Sequence, residues 1–211
     1  MFGPISQFGM VFETLRCEAA ELPGIHMRVI EMDGIKMAFH INLETDRLFM
    51  RPIRPWDADA MHRLHCDPLV VESTMGGIPP TREMSDARLS LYLHEWETYG
   101  YGFWMIYERE DNGDLRFVGR SGLRRFDDNA IEVGCYLFGA RCGQGIGPES
   151  AKPVIEFAFA TQPIDRLVSF IRPTNVRSLR ARTRQGFTCL GPVVFDGTTY
   201  EFLELRRPPR R

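Results

Sequence analysis

The chain has 211 residues, a formal net charge of −2 and 44% hydrophobic residues. That length holds one full domain, or one domain with an appendage, and the composition is that of a globular protein with a buried core. The near-neutral charge gives nucleic acid no electrostatic claim as a main partner, and no stretch is apolar for long enough to span a bilayer.

Residues 1–42 read as an N-terminal extension. Within it two apolar-rich runs, Met27–Met32 and Ile35–Ile41, flank Asp33-Gly34, which is a hairpin signal. The competing reading is a poorly ordered leader, since Met10, Met27, Met32 and Met37 all offer alternative starts. No basic stretch followed by an apolar run opens the chain, so a cytoplasmic location is expected. The cysteines at positions 17, 66, 135, 142 and 189 are odd in number and form no C-x-x-C pair. They read as free thiols in a reducing compartment rather than a disulfide frame or a zinc site.

A compact domain is expected over residues 43–205. Arg47–Ile53 reads as a strand, and Asp57 can cap a helix running to about Cys66. A Gly- and Pro-rich loop, Met75–Pro80, follows. Thr81 can cap a second helix over Arg82–Tyr99, with Leu89, Leu93 and Trp96 at helical spacing. Strands are then expected at Phe103–Tyr107, Leu115–Arg125 and Ala130–Phe138, separated by the turns Asp111–Asp114 and Asp127–Asn129. A Gly-rich turn leads to a helix over Glu149–Ala160. A strand at Leu167–Arg172 precedes a helix at Asn175–Gln185, with Gly186 placed as its C′ residue. Val193–Phe195 and Thr199–Leu205 close the domain as a strand pair around Asp196-Gly197. The tail, residues 206–211, is basic, short and flanked by prolines, and reads as a solvated terminus. The element order implies an α/β (α+β) fold on one mixed sheet, not the steady βαβ alternation of a dinucleotide fold.

The richest stretch is Arg141-Cys-Gly-Gln-Gly-Ile-Gly-Pro-Glu149, between a strand and a helix. Its alternate glycines let the backbone approach something closely, and the helix start behind them presents unpaired N–H groups. A sharp reversal with no ligand is the plain alternative. A P-loop would need a Gly-Lys-Ser/Thr ending that is missing here. A dinucleotide turn should come early, in a βαβ unit, whereas this one comes late, after antiparallel strands. The third reading is a pyrophosphate of coenzyme A on the helix N-terminus.

The order of elements and the turn Cys142–Gly147 resemble the GNAT superfamily of acyl-CoA N-acyltransferases, in particular its RimJ/RimL-like branch of ribosomal-protein acetyltransferases. Leu43-Glu-Thr-Asp-Arg-Leu48, Gly100-Tyr-Gly-Phe-Trp104, Phe117-Val-Gly-Arg-Ser-Gly-Leu123, Glu132-Val-Gly-Cys-Tyr-Leu137 and Pro173-Thr-Asn-Val-Arg-Ser178 carry the likeness, which covers about residues 43–205. The resemblance implies a GNAT-type, mostly antiparallel central sheet with flanking helices. It implies acetyl-CoA as co-substrate, no metal, and an amine acceptor that is a protein N-terminus or a small molecule. Dimers are common in that branch, so a homodimer is implied as well.

By position, the resemblance assigns the pyrophosphate to the amides of Gly143, Gln144, Gly145, Ile146 and Gly147. The backbone of Cys135, Tyr136 and Leu137 would pair with the pantetheine arm like an added strand. Asn175 would bond the cofactor near the pantetheine amides, and Arg184 would approach the adenosine phosphates. Some GNAT enzymes have an acidic tyrosine seven residues after that asparagine, where this chain has Arg182, so the acid role moves to Ser178. Glu132 is the candidate base, against the reading that it is a structural carboxylate bonded to a neighbouring strand. Pro148 brings no N–H to the cradle, and Pro153 is expected to kink the following helix or delay its start.

Other groups have plainer readings. His62, His65 and Cys66 share a helix face but lack further ligands, so packing is expected. Cys142 reads as packing or rim. Trp56, Trp96 and Trp104 read as core or cleft wall, Tyr99 and Tyr101 as lining the acceptor mouth, and Arg180 and Arg182 as solvated. The summary expectation is an N-acetyltransferase acting by direct attack in a ternary complex. The alternative is a CoA-binding sensor or interaction domain without turnover.

Overall fold

The computed structural model describes residues 24–32, 35–195 and 197–209. Among them the strands are β1 (Ile25–Met32), β2 (Ile35–Glu44), β3 (Leu48–Pro52), β4 (Phe103–Arg109), β5 (Leu115–Arg125), β6 (Ala130–Leu137), β7 (Arg166–Ile171), β8 (Thr188–Phe195) and β9 (Thr198–Arg206). The helices are α1 (Ala58–His65), α2 (Pro68–Thr74), α3 (Arg82–Tyr99), α4 (Ile146–Thr161) and α5 (Val176–Arg184). The strands form one sheet in the order β1-β2-β3-β4-β5-β6-β7-β9-β8. Every neighbouring pair is antiparallel except β6 and β7, which run parallel.

Local chemistry explains the elements. In β3 burial alternates, with Leu48, Met50 and Pro52 turned inward, as a half-covered strand requires. The Thr81 side chain accepts the Met84 N–H at 3.3 Å to start α3, and Gly100 ends it at a φ of 70°, which a residue with Cβ adopts poorly. The face under α4 buries Leu48, Trp104, Ile131 and Val133 with Ile146, Val154 and Phe157. Phe157 is 1% exposed, and burying a side chain of that size stabilises by roughly 1.5–3 kcal/mol. Under α1 and α3 the opposite face buries Ile53, Met61, Leu89, Phe103 and Met105.

β2 runs through residue 42 without a break and adds the β1–β2 pair to the edge of the sheet. The Trp104 indole N–H donates to the Ile41 carbonyl at 2.7 Å, joining that pair to the core. The Asp33-Gly34 turn, the leader residues before position 24 and Asp196 lie outside the described residues.

Several expectations are corrected. A further short helix, α2, follows α1; Asp67 caps it, accepting N–H groups of Leu69 and Val70 at 3.0 and 3.4 Å, with Pro68 at the first helical position. α4 starts at Ile146, earlier than expected, and runs through Pro153, whose ring is buried in the core face. Trp56 is 76% exposed, on the 3-10 turn before α1, rather than in core or cleft. Arg207 is not solvated: its guanidinium donates to the carbonyls of Ile164 at 2.8 Å, Gln162 at 2.6 Å and Phe159, closing the C-terminal end of α4.

Candidate functional site

The glycine turn and the start of α4 form an open cradle. Gly143 and Gly145 take φ values of 82° and 83°, and residues 143–145 are exposed. A Cβ on Gly143 would meet nothing within 4 Å, so the backbone there faces open space. The first amides of a helix lack intrahelical acceptors, and no side chain caps those of α4. Pro148 is the third helical residue and contributes no donor, so the cradle offers one N–H fewer than a non-proline helix start.

A clamp that the sequence reading did not identify holds this turn. Arg47, before β3, donates from Nε to Glu149 Oε2 at 2.8 Å and from its Nη atoms to the Gln144 carbonyl at 3.2 and 3.3 Å. Thr45 Oγ1 donates to the other Glu149 oxygen at 2.5 Å. Burial alone would raise the Glu149 pKa, but the hydrogen bonds from Arg47 and Thr45 outweigh it and hold the carboxyl below its usual range. Asp67 adds a second tether, its Oδ2 accepting the Gly139 N–H at 3.1 Å.

Beside the cradle the sheet opens. β6 pairs with β7 only from Ala130 to Glu132, while its pairing with β5 continues to Leu137. At the fork the Val133 carbonyl accepts from Ser169 Oγ at 3.1 Å and from Arg182 Nη2 at 3.0 Å. Backbone groups alternate sides along a strand. With Val133 turned toward β7, Cys135 and Leu137 also present their N–H and C=O to the gap, while Tyr136 turns its backbone to β5. The gap is therefore a free edge that can pair with an extended amide-bearing chain. Gly119 is required here, because a Cβ on it would sit 2.2 Å from the Tyr136 carbonyl oxygen.

α5 closes the other side of the gap. Asn175 is its N-cap, the side-chain oxygen accepting the Ser178 N–H at 3.2 Å, which leaves the amide NH2 as donor. Ser178 is half-buried, one turn before Arg182 on the same helix stripe. Arg184 is exposed at the end of α5, where Gln185 donates to the Pro148 carbonyl at 3.4 Å and joins α5 to the start of α4. Arg182 is not solvated, as its spacing suggested, but 7% exposed, bonded to Val133, Ser169 and Gln185. Burial pulls its pKa below the ordinary guanidinium value.

On the opposite face Glu132 forms an ion pair with Arg124 of β5, its Oε2 accepting from Nε at 3.0 Å. Tyr136 faces His65 and Arg120 on this side. His62 and His65 both meet Ser85 Oγ, at 3.0 and 3.3 Å, and among the described residues no group of three His, Cys, Asp or Glu is placed to hold a metal ion. Tyr99 and Tyr101 stack at 5.7 Å and line a pocket of about 190 Å³ with Arg125 and Ile131. That pocket is at the end of β6 remote from the gap, so these tyrosines do not line its mouth. Cys66, Cys135, Cys142 and Cys189 are unbridged, and no described helix is long and apolar enough to cross a membrane.

A family model described as an acetyltransferase (GNAT) domain matches residues 47–188. The fold is similar to a GnaT-family acetyltransferase from Bordetella pertussis, with 24% identity, a TM-score of 0.66, and 77% of this chain and 98% of that one covered. It is also similar to an aminoglycoside acetyltransferase in complex with coenzyme A, at 16% identity and a TM-score of 0.62, covering 76% of this chain and 95% of that one. A RimL ribosomal L7/L12 alpha-N-protein acetyltransferase in complex with coenzyme A gives 17% identity and a TM-score of 0.64, with 77% and 95% covered.

Proposed function

Because this chain belongs to the GNAT acetyltransferase family, we propose that it moves an acetyl group from acetyl-CoA to a primary amine by direct attack in a ternary complex. The observation that carries this reading is the gap between β6 and β7, opening beside the uncapped amides of α4. The residues fit coenzyme A. The amides of Gly143, Gln144, Gly145, Ile146 and Gly147 would receive the pyrophosphate. The gap-facing backbone of Cys135 and Leu137, with Tyr136 between them, would receive the pantetheine amides. The Asn175 NH2 would add a donor, and Arg184 would lie near the adenosine phosphates.

In the transfer, the amine nitrogen forms a bond to the acyl carbon while the carbon–sulfur bond breaks. The nitrogen gives up a proton to a base, and the leaving thiolate takes one. A free N–H of β6 in the gap stabilises the developing oxyanion. Ser178 is the proposed proton donor to sulfur, directly or through water. Glu132 is the proposed base, and its ion pair with Arg124 must then loosen to admit the ammonium. Most of the rate comes from holding both partners together, since a thiol is already a fair leaving group.

Within the family we favour the RimJ/RimL-like branch, on the motifs along residues 43–205, with a protein N-terminus or a small amine as acceptor. A homodimer in the cytoplasm completes the proposal. Arg182, at the position of an acidic tyrosine in some GNAT enzymes, and Pro148, with its missing donor, favour a second reading: a CoA-binding sensor without turnover. Calorimetric titration with acetyl-CoA, followed by thiol release over an amine panel, separates the two. Binding without thiol release from any amine would make the sensor reading the right one.

A further inference from the structure

About half of the described arginines are paired with carboxylates, as Arg47 is with Glu149, Arg51 with Asp57 and Arg166 with Glu204. Three of the others lie around the gap, on the α1/α3 face. Arg88, Arg120 and Arg172 have no carboxylate in salt-bridge range among the described residues. Arg120 is 2% exposed, and its Nε and Nη1 are buried without a partner. Arg172 has a buried Nε in the same state.

The sheet order puts these two on either side of the free edge of β6. Arg120 stands opposite Tyr136 across β5 and β6. Glu132 and Val168 form the last pair of β6 and β7, and Arg172 directly follows β7, beyond the point where the two strands part. Arg120, behind Tyr136 on β5, and Arg172, at the end of β7, thus stand on the two sides of the gap. The Arg120 guanidinium carbon lies 4.0 Å from the ring centres of both Phe103 and Tyr136. A Cβ on Gly134 would sit 3.9 Å from Arg120 Nη1, so that nitrogen lies against bare β6 backbone. Arg172 Nη2 would lie 3.6 Å from a Cβ on Gly76, at the loop before α3, and Arg88 Nη1 reaches Met75 in the same loop, 3.1 Å from its sulfur.

A buried guanidinium without a counter-ion is costly, and its aromatic neighbours offset only part of that cost. Unsatisfied buried donors of this kind call for an explanation, and a ligand that completes the site is one. Burial first, then the charges of Arg120, Arg88 and His62, push the His65 pKa down to about 3. Glu72 of α2 is exposed, and Glu132 is taken by Arg124.

We propose that Arg120 and Arg172 select an acceptor that carries a carboxylate close to its reacting amine, a free amino acid or a peptide whose first residue is acidic. This rests on the acetyltransferase reading above. The attraction would steer such an acceptor into the gap from the face opposite α4 and hold its amine beside Tyr136.

The test is thiol release by the full chain with acetyl-CoA and matched acceptors: amino acids, their amides, the corresponding decarboxylated amines, peptides beginning with Asp, Glu or Ala, and an aminoglycoside. The expected result is at least a tenfold higher kcat/KM for acids over their uncharged partners. The amino-acid and peptide arms tell the two sources apart. Arg172→Met and Arg120→Met should each raise the acceptor KM about tenfold and erase the preference, with acetyl-CoA binding unchanged, and Arg120→Lys should restore part of it. Equal or better use of amides, amines or the aminoglycoside overturns the proposal, as does a preference that survives both substitutions. If no amine turns over, the enzymatic reading falls on its own. Calorimetric titration of the protein with glutamate and aspartate then decides this site, and no heat that is lost in Arg172→Met overturns it.

Discussion

Arg182 of α5 and the Val133 carbonyl of β6 meet at 3.0 Å at the point where β6 and β7 part. Ser169 of β7 donates to the same oxygen at 3.1 Å, so one acceptor ties the strand on each side of the fork to the helix that closes it. The gap is thereby a fixed feature of the sheet rather than a frayed end. A guanidinium spans it from α5 to β6.

Arg182→Met tests this. The lost hydrogen bonds and the relieved burial of a charge nearly cancel, so stability should change by only about 1 kcal/mol. The acetyl-CoA KM should rise about fivefold, because the edge at Cys135 and Leu137 loses its anchor. Urea unfolding and acetyl-CoA titration read the two quantities. An unchanged KM would mean that Ser169 and the strands hold the gap by themselves.

The Arg47–Glu149 clamp gives a second expectation. Both side chains are partly exposed, so the pair adds only ~0–1 kcal/mol to stability. Its larger effect is on the cradle, where Arg47→Ala leaves an unopposed carboxylate in the first turn of α4. Acetyl-CoA affinity should fall about tenfold, or roughly 1.4 kcal/mol. Arg47→Ala combined with Glu149→Gln should recover most of it. Failure of the double variant to recover would show that Arg47 acts by fixing the Gln144 carbonyl instead.

Those two contacts also mark the limit of what the sequence discloses. The glycine turn, the strand β3 and the capping residue Thr81 are local patterns, legible one stretch at a time. Arg47 and Glu149 are 102 positions apart, and Arg182 and Val133 are 49 apart, so no spacing announces either contact. Arg182 reads as outward-facing because arginine usually is, and only the polar groups at the fork reverse that preference. α2 did carry a signal in Asp67-Pro68, a cap followed by a first-turn proline, but seven residues are too few for periodicity to show. Pro153 lies inside α4 without delaying its start, where packing of α4 on the sheet outweighs that part of the breaker rule.

His65 predicts a pH dependence. Its side chain is buried and its pKa lies near 3, against 6.5 when exposed, with burial the main cause. Between those values the unfolded chain binds a proton that the folded chain does not. Stability is therefore full above pH 6.5 and declines as pH falls through that window, by at most ~1.4 kcal/mol per unit from this group. His65→Gln should flatten the difference curve between pH 7 and 5 in urea unfolding. Parallel curves for the two proteins would show that His65 takes up its proton in the fold as it does in the unfolded chain.

Ser178 and Glu132 separate by kinetics. As proton donor to the leaving sulfur, Ser178 should matter after the acetyl-CoA complex forms. Ser178→Ala should then lower kcat about a hundredfold with little change in acetyl-CoA KM, within the usual range for acid–base groups. Glu132→Gln should remove the rising acidic limb of the kcat/KM profile, because an amide cannot accept the ammonium proton. It should also free Arg124 and cost little stability, as Arg124 is largely exposed. Full turnover in Ser178→Ala with an identified acceptor would return the acid role to solvent. A pH–rate profile that is the same in Glu132→Gln would leave Glu132 as the β5–β6 ion-pair partner alone.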